Sequence, residues 1–300
     1  MYCSFDEIRN AARDVSDAKV AIPMGHDAAS LKALISASKE GFASAVIAAP
    51  ESRVRETLDE IGEELPSGIR LLNIEDPEEA ALKAVELVSS GDATILMKGM
   101  LQTSVFLKAV LDKEVGLRTG RILSHVAVVH VPYLKRLVVI TDGGMNISPE
   151  EDDLVQIIQN GAEVITALGA DRARVALLAA KEVVTEKMPE TLLYDRIVKR
   201  GISGMDLCGP VAVDGAIDPE AAEIKGMHGP VAGRANVLVT PNIACGNIFA
   251  KAFMYMTDAE VGGLIAGAAA PVVMLSRSDK SETKLNSLAL GVVVSGGRNG

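Results

Sequence analysis

The sequence predicts an α/β protein in which helices cover a mainly parallel sheet. Short β-branched runs alternate with longer helical patterns along the chain, which is typical of this class. Aromatic residues make up 3% of the composition and Trp is absent, so Ala, Val, Leu, Ile and Met must form the core, as in parallel sheets. The length of 300 residues is about twice that of a typical domain and predicts one large or two medium domains.

The first third of the chain predicts four strands, each followed by a helix. We expect the strands at 19–24, 44–49, 69–74 and 93–97. The first helix is expected to end at about residue 39 and the second to cover 51–65. The third is expected to begin at about residue 76 and the fourth to cover 103–111. The third of these is well marked, because Pro77 suits the first helical position and Glu78 and Glu79 place acids in the first turn.

The pattern changes at two strands predicted at 124–131 and 137–141. Only five residues, including Pro132, separate them, which indicates a hairpin instead of a crossover between parallel strands. The alternation then resumes with helices at 150–168 and 189–200, strands at 175–180, 210–214, 235–240 and 271–275, and a closing helix at 280–294. Because no linker separates the halves, we expect a first domain built from 1–130 plus 264–300 and an inserted second domain from 131–263.

The chain is acidic, with 30 Lys and Arg against 40 Asp and Glu and a formal net charge of −10. Proteins that bind nucleic acid or anionic membranes are usually basic, so we expect neither partner. The first residues lack the apolar core of a signal peptide, and the longest apolar stretch, 262–275, is too short to span a bilayer. Three widely separated cysteines without a CxxC motif favour a reducing, cytoplasmic location.

Four segments could nevertheless concentrate polar or basic groups. The first follows the strand at 93–97, where Lys98 and the hydroxyls of Thr103 and Ser104 would suit a phosphate beyond the carboxyl end of a strand. The alternative is a Gly-containing turn with a helix N-cap. The chain has neither a P-loop nor a GxGxxG motif, so the standard nucleotide fingerprints are absent.

The second segment, 114–125, contains two Gly and two Arg in a polar loop that ends at a strand. Arg118 could hold a phosphate with two parallel hydrogen bonds, and Ser124 could join the same site. Equally, Arg118 could pair with a surface carboxylate. His125 at the start of an apolar strand is more typical of a structural histidine than of a catalyst.

The third segment closes the strand at 235–240 and begins a helix. Asn242 and Asn247 flank the turn, where amides and backbone N–H groups can converge on a ligand, and Lys251 follows on the helix. Cys245 could be a nucleophile, but no histidine is close in sequence and a small buried Cys is common.

The fourth segment follows the strand at 271–275. Ser276 can donate a hydrogen bond to developing negative charge, and Arg277 offers a forked donor for phosphate. A capping role for Ser278 or Ser281 at the last helix is compatible with this interpretation. Carboxylates elsewhere are scattered or lie at a helix start, so no metal site is expected.

These motifs resemble the phosphate acetyltransferase/phosphate butyryltransferase family. The segments at 230–251 and 270–290 carry the likeness, and the segment at 96–128 is more similar to the butyryltransferase branch. The resemblance covers about residues 18–295. It implies reversible transfer of a short acyl group between coenzyme A and inorganic phosphate, with acyl-CoA and phosphate as partners and no tightly bound cofactor. It also implies two αβα domains of the isocitrate/isopropylmalate dehydrogenase type with the active site in the cleft between them.

The resemblance further assigns roles to single residues. Ser276 stabilises the reacting centre, Arg277 holds phosphate, and Asn242, Gly246, Asn247 and Lys251 line the cleft. From the first two segments described above, we add Lys98, Thr103, Arg118 and Ser124 to the expected binding residues. Where the acetyltransferase branch places an Asp that deprotonates the thiol, this chain has Thr283, with Glu282 beside it. That change favours the butyryltransferase branch and leaves the base open. Lys108 occupies the position closest to a family arginine.

Several alternatives stay open at this level. The substrate could be acetyl-CoA instead of butanoyl-CoA. The implied fold is shared with metal- and nicotinamide-dependent hydroxyacid dehydrogenases, although the expected cluster of metal-binding Asp residues is missing. A third hypothesis is a CoA-ester-binding homologue without activity. We expect a homodimer, because two-fold dimers are the commonest assembly.

Overall fold

A computed structural model describes residues 1–276 and 278–297, so Arg277 lies outside the described residues. The chain forms two compact units. The terminal unit comprises Phe5–Arg121 and Gly262–Gly300, and the middle unit comprises Met1–Ser4 and Ile122–Val261. In the described part of the chain, no helix is both long enough and apolar enough to cross a membrane.

The helices and strands alternate through most of the chain. The helices are α1 (Phe5–Ala12), α2 (Ala28–Lys39), α3 (Glu51–Ile61), α4 (Pro77–Ser89), α5 (Thr103–Val110), α6 (Glu151–Ala167), α7 (Pro189–Arg200), α8 (Val213–Ile217), α9 (Pro219–Ile224), α10 (Ile243–Met256) and α11 (Ser281–Gly296). The strands are β1 (Lys19–Pro23), β2 (Ser44–Ala49), β3 (Ile69–Asn73), β4 (Ile95–Met97), β5 (Ser124–Val131), β6 (Arg136–Thr141), β7 (Ala173–Leu178), β8 (Met205–Val211), β9 (Val237–Val239), β10 (Glu260–Ala266) and β11 (Val272–Val273).

The terminal unit has the strand order β3-β2-β1-β4-β11-β10. All neighbouring pairs are parallel except β10 with β11. Helix α11 is buried along almost its whole length and packs against α1 and α2. The chain moves outward from β1 to β3 and returns on the other side of β1 as β4. The carboxyl ends of β1 and β4 are therefore the place where ligands bind in open α/β sheets.

Local sequence explains where the helices of this unit begin and end. The Asp27 carboxylate accepts a hydrogen bond from the Ser30 N–H and caps α2, and Asp76 caps α4 in the same way ahead of Pro77. Helix α3 ends at Gly62, which has a φ of 66° that glycine adopts without strain.

The middle unit has the strand order β5-β6-β9-β7-β8. Strands β5 and β6 pair antiparallel from Val126 opposite Thr141 to Val131 opposite Arg136, which confirms the predicted hairpin. Strands β6, β9, β7 and β8 are parallel, and α6 packs against the sheet. The ends of these parallel strands therefore define a carboxyl edge and an amino edge in this unit.

The α/β class predicted from the sequence is confirmed, but one predicted strand is displaced and some elements were missed. The strand expected at 210–214 lies earlier, as β8, and helix α8 begins at Val213. Pro210 cannot donate to a sheet and is tolerated in β8 because β8 is the last strand of the order. Strand β10 and helix α1 were not predicted. They pack together where Gly262 leaves room for the Phe5 ring, since a Cβ there would lie 2.8 Å from it.

Candidate active site

Strands β1, β4 and β11 are parallel in the terminal unit, so the turns after them lie at one edge of its sheet. Lys98 follows β4 directly, is buried, and donates its backbone N–H to the Val273 carbonyl of β11 at 2.8 Å. At Gly99 a Cβ would lie 2.3 Å from the Pro23 carbonyl oxygen, so only glycine fits between the turns after β4 and β1. The Met100 N–H donates to the Met24 carbonyl at 2.8 Å and joins the same two turns.

The turn between β1 and α2 adds polar groups that sequence reasoning did not select. His26 Nδ1, Asp27 Oδ2 and Ser30 Oγ are buried and have no hydrogen-bond partner in the described part of the chain. Burial lowers the pKa of His26, Asp27 opposes that shift, and Arg53 adds to it. Buried polar atoms are normally paired, so three unpaired ones at the same sheet edge as Lys98 mark a place suited to a polar ligand. The signal in the sequence was the Gly-His-Asp turn after the first strand.

The loop after β11 presents Ser276 to solvent. Its backbone N–H donates to Asp279 Oδ2 at 2.8 Å, and the Asp279 N–H donates to the Ser276 carbonyl at 3.1 Å. The Ser276 hydroxyl lies 3.0 Å from that of Ser278. Asp279 is buried and its second oxygen, Oδ1, has no hydrogen-bond partner within the described residues. Asp279 therefore fixes the backbone that carries Ser276, a role not predicted from the sequence.

The first turn of α11 holds the two candidates for a base. Glu282 Oε1 accepts a hydrogen bond from Arg9 Nη1 at 2.8 Å, and Arg9 also pairs with Asp6 at 2.9 Å. Burial by itself would lower the pKa of Arg9, but the nearby carboxylates of Glu282 and Asp6 outweigh it and raise that pKa. Thr283 is half-buried, and its carbonyl accepts the Ser287 hydroxyl at 2.7 Å. The exposed Glu282 carboxylate is therefore held in place by Arg9.

Lys284 completes this turn and was not selected from the sequence. Its side chain is 5% exposed and has neither a hydrogen bond nor an ion pair to any described residue. A cation in the first turn of a helix opposes the helix dipole, and burial of an unpaired charge is costly. The position of Lys284 therefore costs stability and is better explained by binding of an anionic ligand. Its position one helical turn beyond Lys280 places it in the same segment as the Ser276 loop.

The other residues selected in the terminal unit lie on its surface. Thr103 is the exposed first residue of α5, and Lys108 pairs with Glu78 at 3.2 Å. Arg118 is exposed and pairs with no described residue. Its loop is nevertheless held, because the Leu117 N–H donates to the Val110 carbonyl at 2.8 Å and the Leu117 carbonyl accepts from Ala269 at 2.9 Å.

In the middle unit, Asp142 organises the turn after β6. Its buried carboxylate accepts hydrogen bonds from the N–H groups of His125, Gly144, Met145 and Asn146 and from the Asn146 side-chain amide, at 2.6–3.2 Å. The sequence suggested only scattered carboxylates outside the four segments. Five donors on one carboxylate instead give the turn a single conformation.

Of the four residues selected after β9, Gly246 and Asn247 contact that turn and Asn242 caps the helix that follows. Asn242 caps α10 by accepting from the Cys245 N–H at 3.0 Å, and the Asn247 amide donates to the Gly143 carbonyl at 3.1 Å. At Gly246 a Cβ would lie 2.2 Å from the Asp142 carbonyl oxygen, so no other residue fits. Lys251 is exposed, with Nζ 5.8 Å from the centre of the Tyr255 ring.

Ser124 begins β5, one residue before His125, whose N–H donates to Asp142 in the turn after β6. Ser124 is fully buried, and its hydroxyl accepts a hydrogen bond from the Asn160 amide at 2.8 Å. Cys245 is exposed. The described residues contain no group of three His, Cys, Asp or Glu side chains arranged to hold a metal ion.

Comparison with known proteins now identifies the family. The family described as phosphate acetyl/butaryl transferase matches residues 75–292. The chain belongs to this family. A phosphate butyryltransferase of Clostridium acetobutylicum is 40% identical over 99% of this chain and 100% of its own length. A phosphate acetyltransferase of Rhizobium meliloti is 38% identical over 96% of this chain and 92% of its own length.

A solved structure of the family supports the same assignment. The crystal structure of a branched-chain phosphotransacylase from Enterococcus faecalis V583 has a TM-score of 0.82 and 33% identity, over 93% of this chain and 99% of that one. The family and the α/β fold class predicted from the sequence are thus confirmed. The roles of the individual site residues stay predictions.

Proposed function

We propose that this protein transfers a short acyl group between coenzyme A and inorganic phosphate: butanoyl-CoA plus phosphate gives butanoyl phosphate plus CoA. The full-length likeness to a phosphate butyryltransferase is the observation that carries the proposal. The geometry supports it, because Ser276 has an exposed hydroxyl on a fixed loop, at the sheet edge where Lys98 also lies. Both substrates are bound for the reaction and released, so no resident cofactor is needed.

The proposed chemistry is a direct displacement. In the direction of acyl-CoA formation, the thiolate of CoA attacks the carbonyl carbon of the acyl phosphate. The C–S bond forms, the C–O bond to phosphate breaks, and phosphate leaves with the electron pair. The Ser276 hydroxyl donates a hydrogen bond to the carbonyl oxygen as negative charge develops there. Arg277 and the buried Lys98 stabilise the departing phosphate.

The thiol must lose its proton before or during attack, and we propose Glu282 as the acceptor with Thr283 as a hydrogen-bonding neighbour. A free thiol ionises near pH 8–9, about one to two units above neutral, so a weak base is sufficient. Replacing Glu282 by Gln should lower kcat and alter the pH–rate profile. An unchanged profile in E282Q would eliminate this role. Replacing Arg9 by Gln is the matched control, because it frees the Glu282 carboxylate without removing it.

The decisive experiment measures thiol release from CoA esters in the presence of phosphate. We expect turnover with butanoyl-CoA, dependence on phosphate, and a large loss in Ser276→Ala. Ser89→Ala, an exposed serine at the end of α4, is the matched control and should keep full activity. If S276A turns over within about threefold of wild type, the role of Ser276 is wrong, since such donors contribute far more.

A second candidate is phosphate acetyltransferase activity, favoured by the relative from Rhizobium meliloti. The same assay with acetyl-, propionyl- and butanoyl-CoA ranks the substrates by kcat/KM. One methylene changes discrimination by about 10–200-fold, so the preferred length will stand out clearly. CoA binding without thiol release from any ester would instead support a binding protein that has lost activity.

We also propose that the protein is a homodimer in the cytoplasm. Helix α10 exposes Ile248, Tyr255 and Met256 at 70%, 59% and 80%, which is unusual for a surface that stays in water. None of the three cysteines forms a disulfide, which is compatible with a reducing compartment. Light scattering should give twice the chain mass for wild type and a lower mass for Ile248→Asp. An unchanged mass in I248D would place the contact elsewhere.

A further inference from the structure

A cavity in the middle unit gathers three arginines at the amino edge of its sheet. Arg136 is the first residue of β6, Arg174 lies at the start of β7, and Arg234 precedes β9. They line a cavity of about 500 Å³ together with Tyr133, Leu134 and other residues. Because these strands are parallel, the cavity lies at the opposite end from Asp142 and Asn242, where the candidate active-site residues of this unit are.

The charge in this cavity is not balanced. Neither Arg136 nor Arg234 forms an ion pair with a described residue, and Arg174 reaches Asp171 only at 3.3 Å. Asp218 is the one carboxylate among the described lining residues, and its Oδ1 is occupied by the Glu220 N–H. Burial lowers the pKa of Arg136 and the neighbouring Arg174 lowers it further. Three guanidinium groups thus face one lining carboxylate, Asp218, with Asp171 beside Arg174, in a chain whose net charge is −10.

The frame around the arginines is preformed. Arg136 donates to the carbonyls of Ala235 at 2.7 Å and Ile217 at 3.2 Å, which uses two of its five N–H donors. The buried Asn236 side chain accepts from the Arg174 backbone N–H at 2.7 Å. At Gly233 a Cβ would lie 2.4 Å from Pro219, so this loop is tightly seated. Two of the Arg136 N–H groups are used by the backbone and Arg174 pairs with Asp171, whereas no described residue pairs with the charge of Arg234.

We propose that this cavity binds a small organic phosphate, at a site separate from the proposed acyl-transfer chemistry. Guanidinium groups match phosphate oxygens in geometry and charge, and several of them converge here. The exposed Tyr133 ring and Leu134 offer an apolar face for the organic part of the molecule. The volume lies within the range of small-molecule sites, about 300–1,000 Å³. The ligand is a phosphorylated metabolite with at least two negative charges.

Calorimetric titration with pyrophosphate tests the proposal on the full chain. The pocket variant is R174Q/R234Q. The matched control is R196Q/R200Q, which makes the same change in charge on α7, where both arginines are exposed and pair with acids of α6. We expect about tenfold or greater weakening in the pocket variant, because charge-assisted hydrogen bonds are lost, and an unchanged affinity in the control. Thiol release with CoA esters should be the same in both variants.

Two outcomes would overturn the proposal: equal pyrophosphate affinity in the two double variants, or no heat of binding to wild type at millimolar concentration. If R174Q/R234Q does not fold by circular dichroism, the exposed Arg234→Gln variant alone carries the test. The conservative R174K/R234K variant should keep part of the affinity, since lysine retains the charge and loses the fork. Affinity in R174K/R234K as low as in R174Q/R234Q would speak against a charge-based site.

Discussion

Replacing Asp142 by Asn tests whether one carboxylate holds the turn after β6. Its Oδ1 accepts from His125, Gly144 and Met145, and its Oδ2 accepts from the backbone and side-chain amides of Asn146. Asparagine supplies one oxygen and one NH₂ group. Whichever way the amide turns, the NH₂ group faces two or three N–H donors and accepts none of their hydrogen bonds.

The smaller loss, at Oδ2, sets the expected magnitude. Hydrogen bonds to a charged group contribute about 1.5–3 kcal/mol each, so two of them are worth about 3–6 kcal/mol if nothing relaxes. The Asn146 side chain also donates toward the Leu123 carbonyl at 2.9 Å and can recover part of its bonding there. We therefore expect D142N to lower the free energy of unfolding by about 2–4 kcal/mol.

Urea unfolding at neutral pH measures this loss, and hydrogen exchange of the peptide over 142–147 locates it. Asp152→Asn is the control, because that side chain is 90% exposed and pairs with Arg200 only at 3.4 Å. We expect the control to change the free energy of unfolding by less than about 0.5 kcal/mol. A D142N protein as stable as D152N, with unchanged exchange over 142–147, would refute the reasoning.

Three further predictions follow from the packing and from the shifted pKa values. Gly99→Ala should destabilise the protein by about 2 kcal/mol or more, because the new Cβ meets backbone oxygen; thermal unfolding measures it, and a wild-type midpoint would contradict the close approach. Burial lowers the pKa of His26, so the unfolded chain binds more protons below the ordinary value of 6.5. Stability should therefore fall as pH decreases through that value, and His26→Gln should weaken the dependence of the urea midpoint on pH; an identical pH dependence would count against it. Burial raises the pKa of the Cys208 thiol, and Glu182 adds to the effect, so Cys208 should react with a disulfide reagent about tenfold more slowly than the exposed Cys3 and Cys245. Equal reaction rates for the three cysteines would contradict the burial of Cys208.

Much of the fold was predictable because its signals are local. Hydrophobic runs of strand length, helix caps such as Asp76 before Pro77, and the short link at Pro132 each depend on neighbours in sequence. The local signal failed at β8, where Gly209 and Pro210 interrupt a strand at the end of the sheet order. It also failed at β10, because its two glycines are typical of a turn. In the structure, the lack of a side chain at Gly262 makes room for the Phe5 ring.

The candidate site was likewise predictable only in part. From the sequence by itself came the family, the α/β class and motif residues such as Lys98 and Ser276, because these belong to short segments with recognisable spacing. Only the tertiary structure showed the five donors on Asp142, the pairing of Arg9 with Glu282, and the three arginines around one cavity. Arg9 and Glu282 are 273 residues apart. Such contacts form only when folding brings distant segments together, and no local periodicity records them.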